Sequence, residues 1–161
     1  MVRWFLDNGA NPCLAWSRSS RRLVPDTGYL LERAACSSSI STIDLLIEHG
    51  ARIDKSFALH AAASKENNIA MMEHLIELGA DVNEYRESLY YASEGPPLRQ
   101  AILSRCVENI RFLLDKGADP LFRATNRQFT PLEEAELSAG PEIRELLHDA
   151  ARLRVVDYPE Q

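Results

Sequence analysis

The side chains able to carry chemistry are few and dispersed. Four histidines stand at positions 49, 60, 74 and 148, and three cysteines at 13, 36 and 106. A zinc site would need close ligand spacing, such as CxxC pairs, with convergent partners. No His/Cys cluster has that spacing. His49 falls in the last helical turn before Gly50, where a cation suits the helix dipole. His74 and His148 fall on polar helix faces. Cys36 and Cys106 occupy small-residue positions in or beside predicted helices and read as inert thiols. Cys13 lies in a predicted loop, and no positioned base can be named for it. The odd count and wide spacing argue for reduced cysteines rather than a disulfide framework. The serines at 37–39 and 41 read as a turn, with Ser41 predicted to cap a helix over 42–48. There is no GxSxG, GxxxxGK[ST] or GxGxxG pattern, so neither a nucleophile elbow nor a phosphate cradle is supported. The carboxylates are numerous but fall on solvated faces rather than as a catalytic pair. The reading is therefore of a non-enzyme, with no catalytic, cofactor-binding or metal residue and no cofactor.

Charge and length narrow the classes further. The chain has 161 residues and a net charge of −6, with 45% hydrophobic and 26% charged residues. That length suffices for one domain with a sizeable core, and the composition is that of an ordinary soluble protein. An acidic surface repels phosphate backbones on average, so nucleic acid is not the expected partner. Arg18, Arg21 and Arg22 form the one dense basic run. It reads as a solvated insertion, with a targeting signal, a phosphorylation context or an acidic-partner contact as the functional alternatives. The start, MVRWFLDNGANP, has no apolar run long enough for a signal peptide. Nothing approaches the roughly 20 apolar residues of a membrane helix. The expected setting is cytoplasmic or nuclear, with no membrane association.

The elements that must position these residues repeat along the chain. Five segments share one pattern: VRWFLDNGAN from Val2, IDLLIEHGAR from Ile43, MEHLIELGAD from Met72, IRFLLDKGAD from Ile110 and IRELLHDAAR from Ile143. Each places apolar residues at i, i+3 and i+4, which lie on one stripe of a helix. Four then place glycine at i+7: Gly9, Gly50, Gly79 and Gly117, with Ala150 in the fifth. Glycine there can adopt the left-handed conformation that ends a helix. A second motif stands upstream of the last four copies: YLLERAAC, FALHAAAS, PPLRQAIL and TPLEEAEL. Its core is a leucine followed three residues later by alanine, at Leu31/Ala34, Leu59/Ala62, Leu98/Ala101 and Leu132/Ala135. Pro97 and Pro131 precede the leucine in two copies, where a helix can begin without its N–H. Each unit reads as a short helix, a turn, a longer helix, a glycine stop and a loop.

ALHAAA at 58–63, TPLEEA at 130–135, GADVN at 79–83 and GADP at 117–120 resemble the ankyrin repeat, with its T-P-L-H-x-A pattern and period near 33 residues. The resemblance covers 2 to about 152. It implies an all-α ankyrin-repeat solenoid of about four full repeats plus an N-terminal half-repeat. The expected domain is 1–152: half-repeat 1–12, then repeats at about 28–54, 56–83, 95–120 and 129–152. Insertions fall at 13–27 and 84–94, 153–161 is a C-terminal tail, and the stretch RLRVVDYPEQ is expected to be frayed. The glycine spacings of 41, 29 and 38 are irregular for the family, in the manner of divergent, possibly fungal, members. Longer loops cost little closure entropy. The first segment reads as a second helix lacking its first, so the chain is expected to be a fragment or to start inside a longer array; its expected state is monomeric or part of such an array. The C-terminal copy reads as a cap, with Glu133, Glu134, Glu136, Glu142, Glu145 and Asp149 at exposed positions.

The resemblance also implies function. His60 stands at the histidine of the motif, a structural position bonding between repeats. Asn83 resembles an asparagine that a hydroxylase modifies in some ankyrin proteins; the simpler role is turn stabilisation. Ankyrin stacks bind proteins on a concave face and at loop tips. Carried over copy by copy, the inner-helix candidates are Arg33, Lys65, Gln100, Ser104 and Glu134. The loop-tip candidates are Phe57, Tyr85, Arg86, Tyr90, Tyr91, Arg123, Arg127 and Gln128. Tyrosine and arginine combine contact area with polar reach. The expected function is a protein-interaction module, a scaffold or adaptor with an unknown protein partner. The alternative is an accessory segment of a larger enzyme or signalling receptor whose active domain lies elsewhere.

Overall fold

The computed structural model describes residues 2–17, 22–25, 28–37, 39–86, 95–123 and 129–157. Nine α-helices occur among them: α1 (Val2–Asp7), α2 (Tyr29–Ser37), α3 (Ile40–Glu48), α4 (Ala58–Ala63), α5 (Ile69–Glu77), α6 (Pro97–Leu103), α7 (Val107–Asp115), α8 (Pro131–Ser138) and α9 (Pro141–Asp157). The chain forms two compact units. One comprises Met1–Ala62 with Ala70–Asp81, the other Ala63–Ile69 with Val82–Gln161.

The first unit is built from α1, α2 and α3 together with most of α4 and α5. Leu31, Ile43, Leu46, Leu59, Met72 and Leu75 form its core. These are the residues that the repeated stripe and the leucine of the short helix select. Full burial of such a side chain stabilises by about 1.5–3 kcal/mol. Ala34 and Ala62 are buried as well, and their small side chains let the short helices approach closely. Between repeats, the Cys36 thiol donates to the Ala61 carbonyl at 3.4 Å, and His74 Nε2 lies 2.6 Å from Asp44 Oδ1.

The second unit repeats the scheme. Leu98, Ile102, Ile110, Leu113 and Leu147 are its fully buried large apolar residues, with Ala101 and Ala135 at the close approaches. Helix α6 packs on both α7 and α8, and α9 packs on both α7 and α8.

One stop signal ends four helices. Gly9, Gly50, Gly79 and Gly117 all have φ between +89° and +97°. In each case the glycine N–H bonds three residues back and the following alanine N–H five residues back, as in Gly117 to Leu114 at 3.0 Å and Ala118 to Leu113 at 2.8 Å. These bonds satisfy carbonyls that a helix end otherwise leaves open. Helix α6 ends the same way, but with Arg105 at φ +57° in the glycine position.

Three local features differ from the sequence reading. The insertion at 13–27, expected to be a loop, contains an antiparallel ribbon: β1 (Leu14–Ser17) pairs with β2 (Arg22–Pro25), with Leu14 opposite Pro25 and Ser17 opposite Arg22. Each strand has only four residues, too short for a clear alternation to stand out. Helix α3 begins at Ile40 with Ser39 as its N-cap residue, so Ser41 lies inside the first turn rather than capping it. The Ser41 hydroxyl instead meets that of Ser39 at 2.7 Å. Finally, α9 continues to Asp157, beyond the expected fraying point, and Arg154 donates to the Gly117 carbonyl at 2.6 Å.

Candidate protein-interaction surfaces

The histidines and cysteines are engaged in packing and polar pairing. His60 is 2% exposed, and its ring meets that of Phe57 edge-on at 5.2 Å. His148 Nε2 lies 2.6 Å from Glu136 Oε1, and His49 Nε2 lies 3.5 Å from Asp7. All three thiols face carbonyl oxygens: Cys13 to Gly50 at 2.8 Å, Cys36 to Ala61 at 3.4 Å and Cys106 to Ser104 at 3.5 Å. Burial, helped by nearby Glu66, pushes the Cys106 thiol above its ordinary value. Among the described residues, no group of three or more His, Cys, Asp or Glu could hold a metal ion. No helix there is long and apolar enough to cross a membrane.

The loop side of the second unit gathers several of the sequence-predicted contacts. The side-chain amide of Asn83 donates to the Gly117 carbonyl at 3.2 Å, and its oxygen accepts from the Asp119 N–H at 2.8 Å. Asn83 thus ties two successive loops together and does more than shape its own turn. Tyr85 stacks on Phe122, with ring centres 6.4 Å apart and planes 30° apart. It is half-buried, so this ring folds back over the repeat. Arg86 and Gly95 exchange backbone hydrogen bonds of 3.2 and 2.9 Å, closing the base of the second insertion. Arg123 is exposed, and its Nη2 reaches both carboxylate oxygens of Glu133 at 2.6 Å. Glu133 also accepts from the Thr130 N–H at 2.8 Å while Thr130 Oγ1 accepts from the Glu133 N–H at 3.1 Å, a reciprocal cap on α8. That backbone bond, with Arg123 adding to it, holds the Glu133 carboxyl below its usual range.

Glu134 requires a correction. The sequence placed it on an exposed face, yet it is 5% exposed. Its carboxylate lies 3.1 Å from Arg99 Nη2 and accepts from Arg99 Nε at 3.2 Å, and Arg99 is itself buried. The arginine stem passes beneath Gly95, where an added Cβ would come within 2.7 Å of Arg99 Cδ. Gly95 has φ +97°, so both its conformation and its lack of a side chain are used. The pair spans α6 and α8, which adds a polar tie to their packing.

The remaining described candidates lie elsewhere. Lys65 and Ser104 are exposed, and Gln100 is half-buried. Ser104 borders a polar cleft of about 570 Å³ formed by the turns at 64–67 and 104–108. Asn109 is fully buried at its floor and donates to the carbonyls of Ala63 at 3.0 Å and Lys65 at 2.7 Å. In the first unit, Arg33 is exposed on α2 and Phe57 is half-buried. Arg33 borders an apolar groove of about 300 Å³ between α1 and α2. Tyr90, Tyr91, Arg127 and Gln128 lie outside the described residues, as do Arg18 and Arg21 of the basic run.

A family model described as ankyrin repeats matches residues 31–124 with three copies. The chain belongs to the ankyrin-repeat family. Its fold class is all-α, with the short ribbon lying in the chain between α1 and α2. No curated protein matches the sequence. Ankyrin repeats are in general protein–protein interaction modules and typically non-catalytic. Two features of this ankyrin chain escaped the sequence reading. The Arg99–Glu134 pair could be found only by aligning the first helices of successive repeats, since 35 positions separate the partners. Asn109 carried a weak signal, a polar residue directly beside the apolar stripe that starts at Ile110.

Proposed function

We propose that this ankyrin chain is a scaffold or adaptor that holds a protein partner on exposed first-helix positions and loop tips. The observation that carries the reading is the ankyrin match over 31–124. It is supported by the exposed polar side chains of Arg33, Lys65, Ser104 and Arg123 at first-helix, turn and loop positions. Tyr85 and Arg86 are half-buried and contribute their accessible edges. Tyr90, Tyr91, Arg127 and Gln128 belong to the same proposed surface. Glu134 is left out, because a buried ion pair cannot meet a partner. The partner is a protein rather than a nucleic acid, in keeping with the net charge of −6 and the repulsion it implies. The proposed setting is cytoplasmic or nuclear.

The test is affinity capture with mass spectrometry, followed by binding measurements on the captured protein. Alanine at Lys65, Arg86 or Arg123 should weaken binding by about 1 kcal/mol or more at one or two of these positions, with helicity unchanged by circular dichroism. A partner indifferent to all three, and to Arg33→Ala, would remove the proposed surface.

A further inference from the structure

The cleft between the turns at 64–67 and 104–108 lies wholly within the second unit. Asn109 lines it from the first turn of α7. Both hydrogens of its side-chain amide are committed, one to the Ala63 carbonyl at 3.0 Å and one to the Lys65 carbonyl at 2.7 Å. Those two bonds fix the amide's orientation, and the oxygen is the end left over. Asn109 Oδ1 is buried and has no hydrogen-bond partner among the described residues. A buried acceptor in that state costs about 1–3 kcal/mol, so a donor or a positive charge placed beside it is stabilising.

The charges around the cleft have the matching sign. Glu66 and Glu108 both line it and are exposed. Burial, with Glu66 adding to it, holds the Cys106 thiol above its ordinary value, so the negative field of Glu66 reaches the cleft wall. Arg105 is the opposing charge among the lining residues, exposed and carried at φ +57°. The N-terminus of α7 adds only about half a positive charge. Two carboxylates and an amide oxygen outweigh these, and the cleft favours a cation. A primary ammonium suits the set, since it carries three N–H donors and no acceptor. On the four-carbon stem of a lysine it can enter a space of about 570 Å³ as a compact point charge.

We propose that this cleft takes a lysine side chain of the protein partner, its ammonium held by Glu66 and Glu108 over the amide oxygen of Asn109. This rests on the interaction reading above and deepens it, naming one side chain and the two turns that receive it.

The probe is Nα-acetyl-lysine methylamide, titrated into the isotope-labelled full chain and followed by NMR. The side-chain amide of Asn109 and the backbone amides of 104–108 should shift saturably, with a Kd of roughly 1–10 mM. The Nε-acetylated form keeps the stem and loses the charge, and it should leave these signals in place. Glu66→Gln combined with Glu108→Gln should weaken the site about tenfold. Arg105→Gly removes the opposing charge and suits the left-handed turn, so it should tighten binding about twofold to threefold. No saturation by roughly 100 mM, equal shifts from the acetylated form, or affinities unchanged in these variants would overturn the proposal. So would a crystal grown with the probe that shows only an ordered water on Asn109 Oδ1. The captured partner should lose about tenfold in affinity for the Glu66→Gln, Glu108→Gln chain. A partner that binds this chain undiminished would overturn the lysine site while leaving the broader interaction reading in place.

Discussion

At the scale of single residues, the chain keeps its polarity where it can be satisfied. Arg99 and Glu134 are both almost fully buried and face each other. Removing one partner leaves an uncompensated charge in a dry site. Glu134→Ala or Arg99→Met should each destabilise the protein by about 3–5 kcal/mol in urea unfolding. The double change Arg99→Met with Glu134→Leu should recover most of that loss, since an apolar pair of similar volume needs no desolvation. A double variant as unstable as the singles would mean that the pair's shape, not its charge, holds α6 to α8. Asn109→Ala removes two hydrogen bonds to backbone carbonyls and should cost about 1–3 kcal/mol, read from the same curves. The sequence suggests neither role. Burial of a charge depends on what a distant repeat brings alongside it, and local spacing carries no record of that. The exposure of Arg33, by contrast, followed from its place on α2, whereas Lys65, expected on a first helix, is exposed in the turn after α4.

At the scale of elements, most of the fold was legible. The i, i+3, i+4 stripes of the last four copies became largely buried helix faces, while in α1 only Leu6 of the stripe is buried, and the glycines became left-handed stops with the same pair of bonds in four places. The motif at Thr130 became a reciprocal cap with Glu133. Helix α6 lacks the usual stop residue. A non-glycine residue in the left-handed region costs about 1–2 kcal/mol, and glycine returns part of that as backbone entropy. Arg105→Gly should therefore raise stability by about 0.5–1 kcal/mol, measured by chemical denaturation. The cap on α8 carries a pH signature. The folded Glu133 carboxyl sits below its usual range, so the folded state binds this proton less readily than the unfolded state does. Its contribution is present above the ordinary glutamate range near 4.3 and is lost as pH falls through the lower folded value. Glu133→Ala should flatten the acid limb of the stability curve relative to the unchanged protein. An identical limb would show that the carboxylate does not couple to folding. The ribbon at 14–25 was not legible, because four-residue strands hold too few alternations to be read.

At the scale of the whole molecule, repetition is what the sequence announces most clearly. A pattern that recurs along the chain resembles the ankyrin repeat, and the ankyrin family model matches three copies over 31–124. The irregular spacing of the glycines announces insertions but says little about what they do. A repeat architecture presents many similar surfaces, so the choice among them comes from the departures. The tied loops around Asn83 and the turn cleft beside Ser104 are such departures. Hydrogen exchange on the chain with and without its captured partner tests the interaction account most directly. The account predicts new protection at 84–86 and 119–123 and on the first helices over 29–37 and 97–103. Protection confined to the second helices over 70–77 and 107–115, with those loops and first helices unchanged, would contradict it.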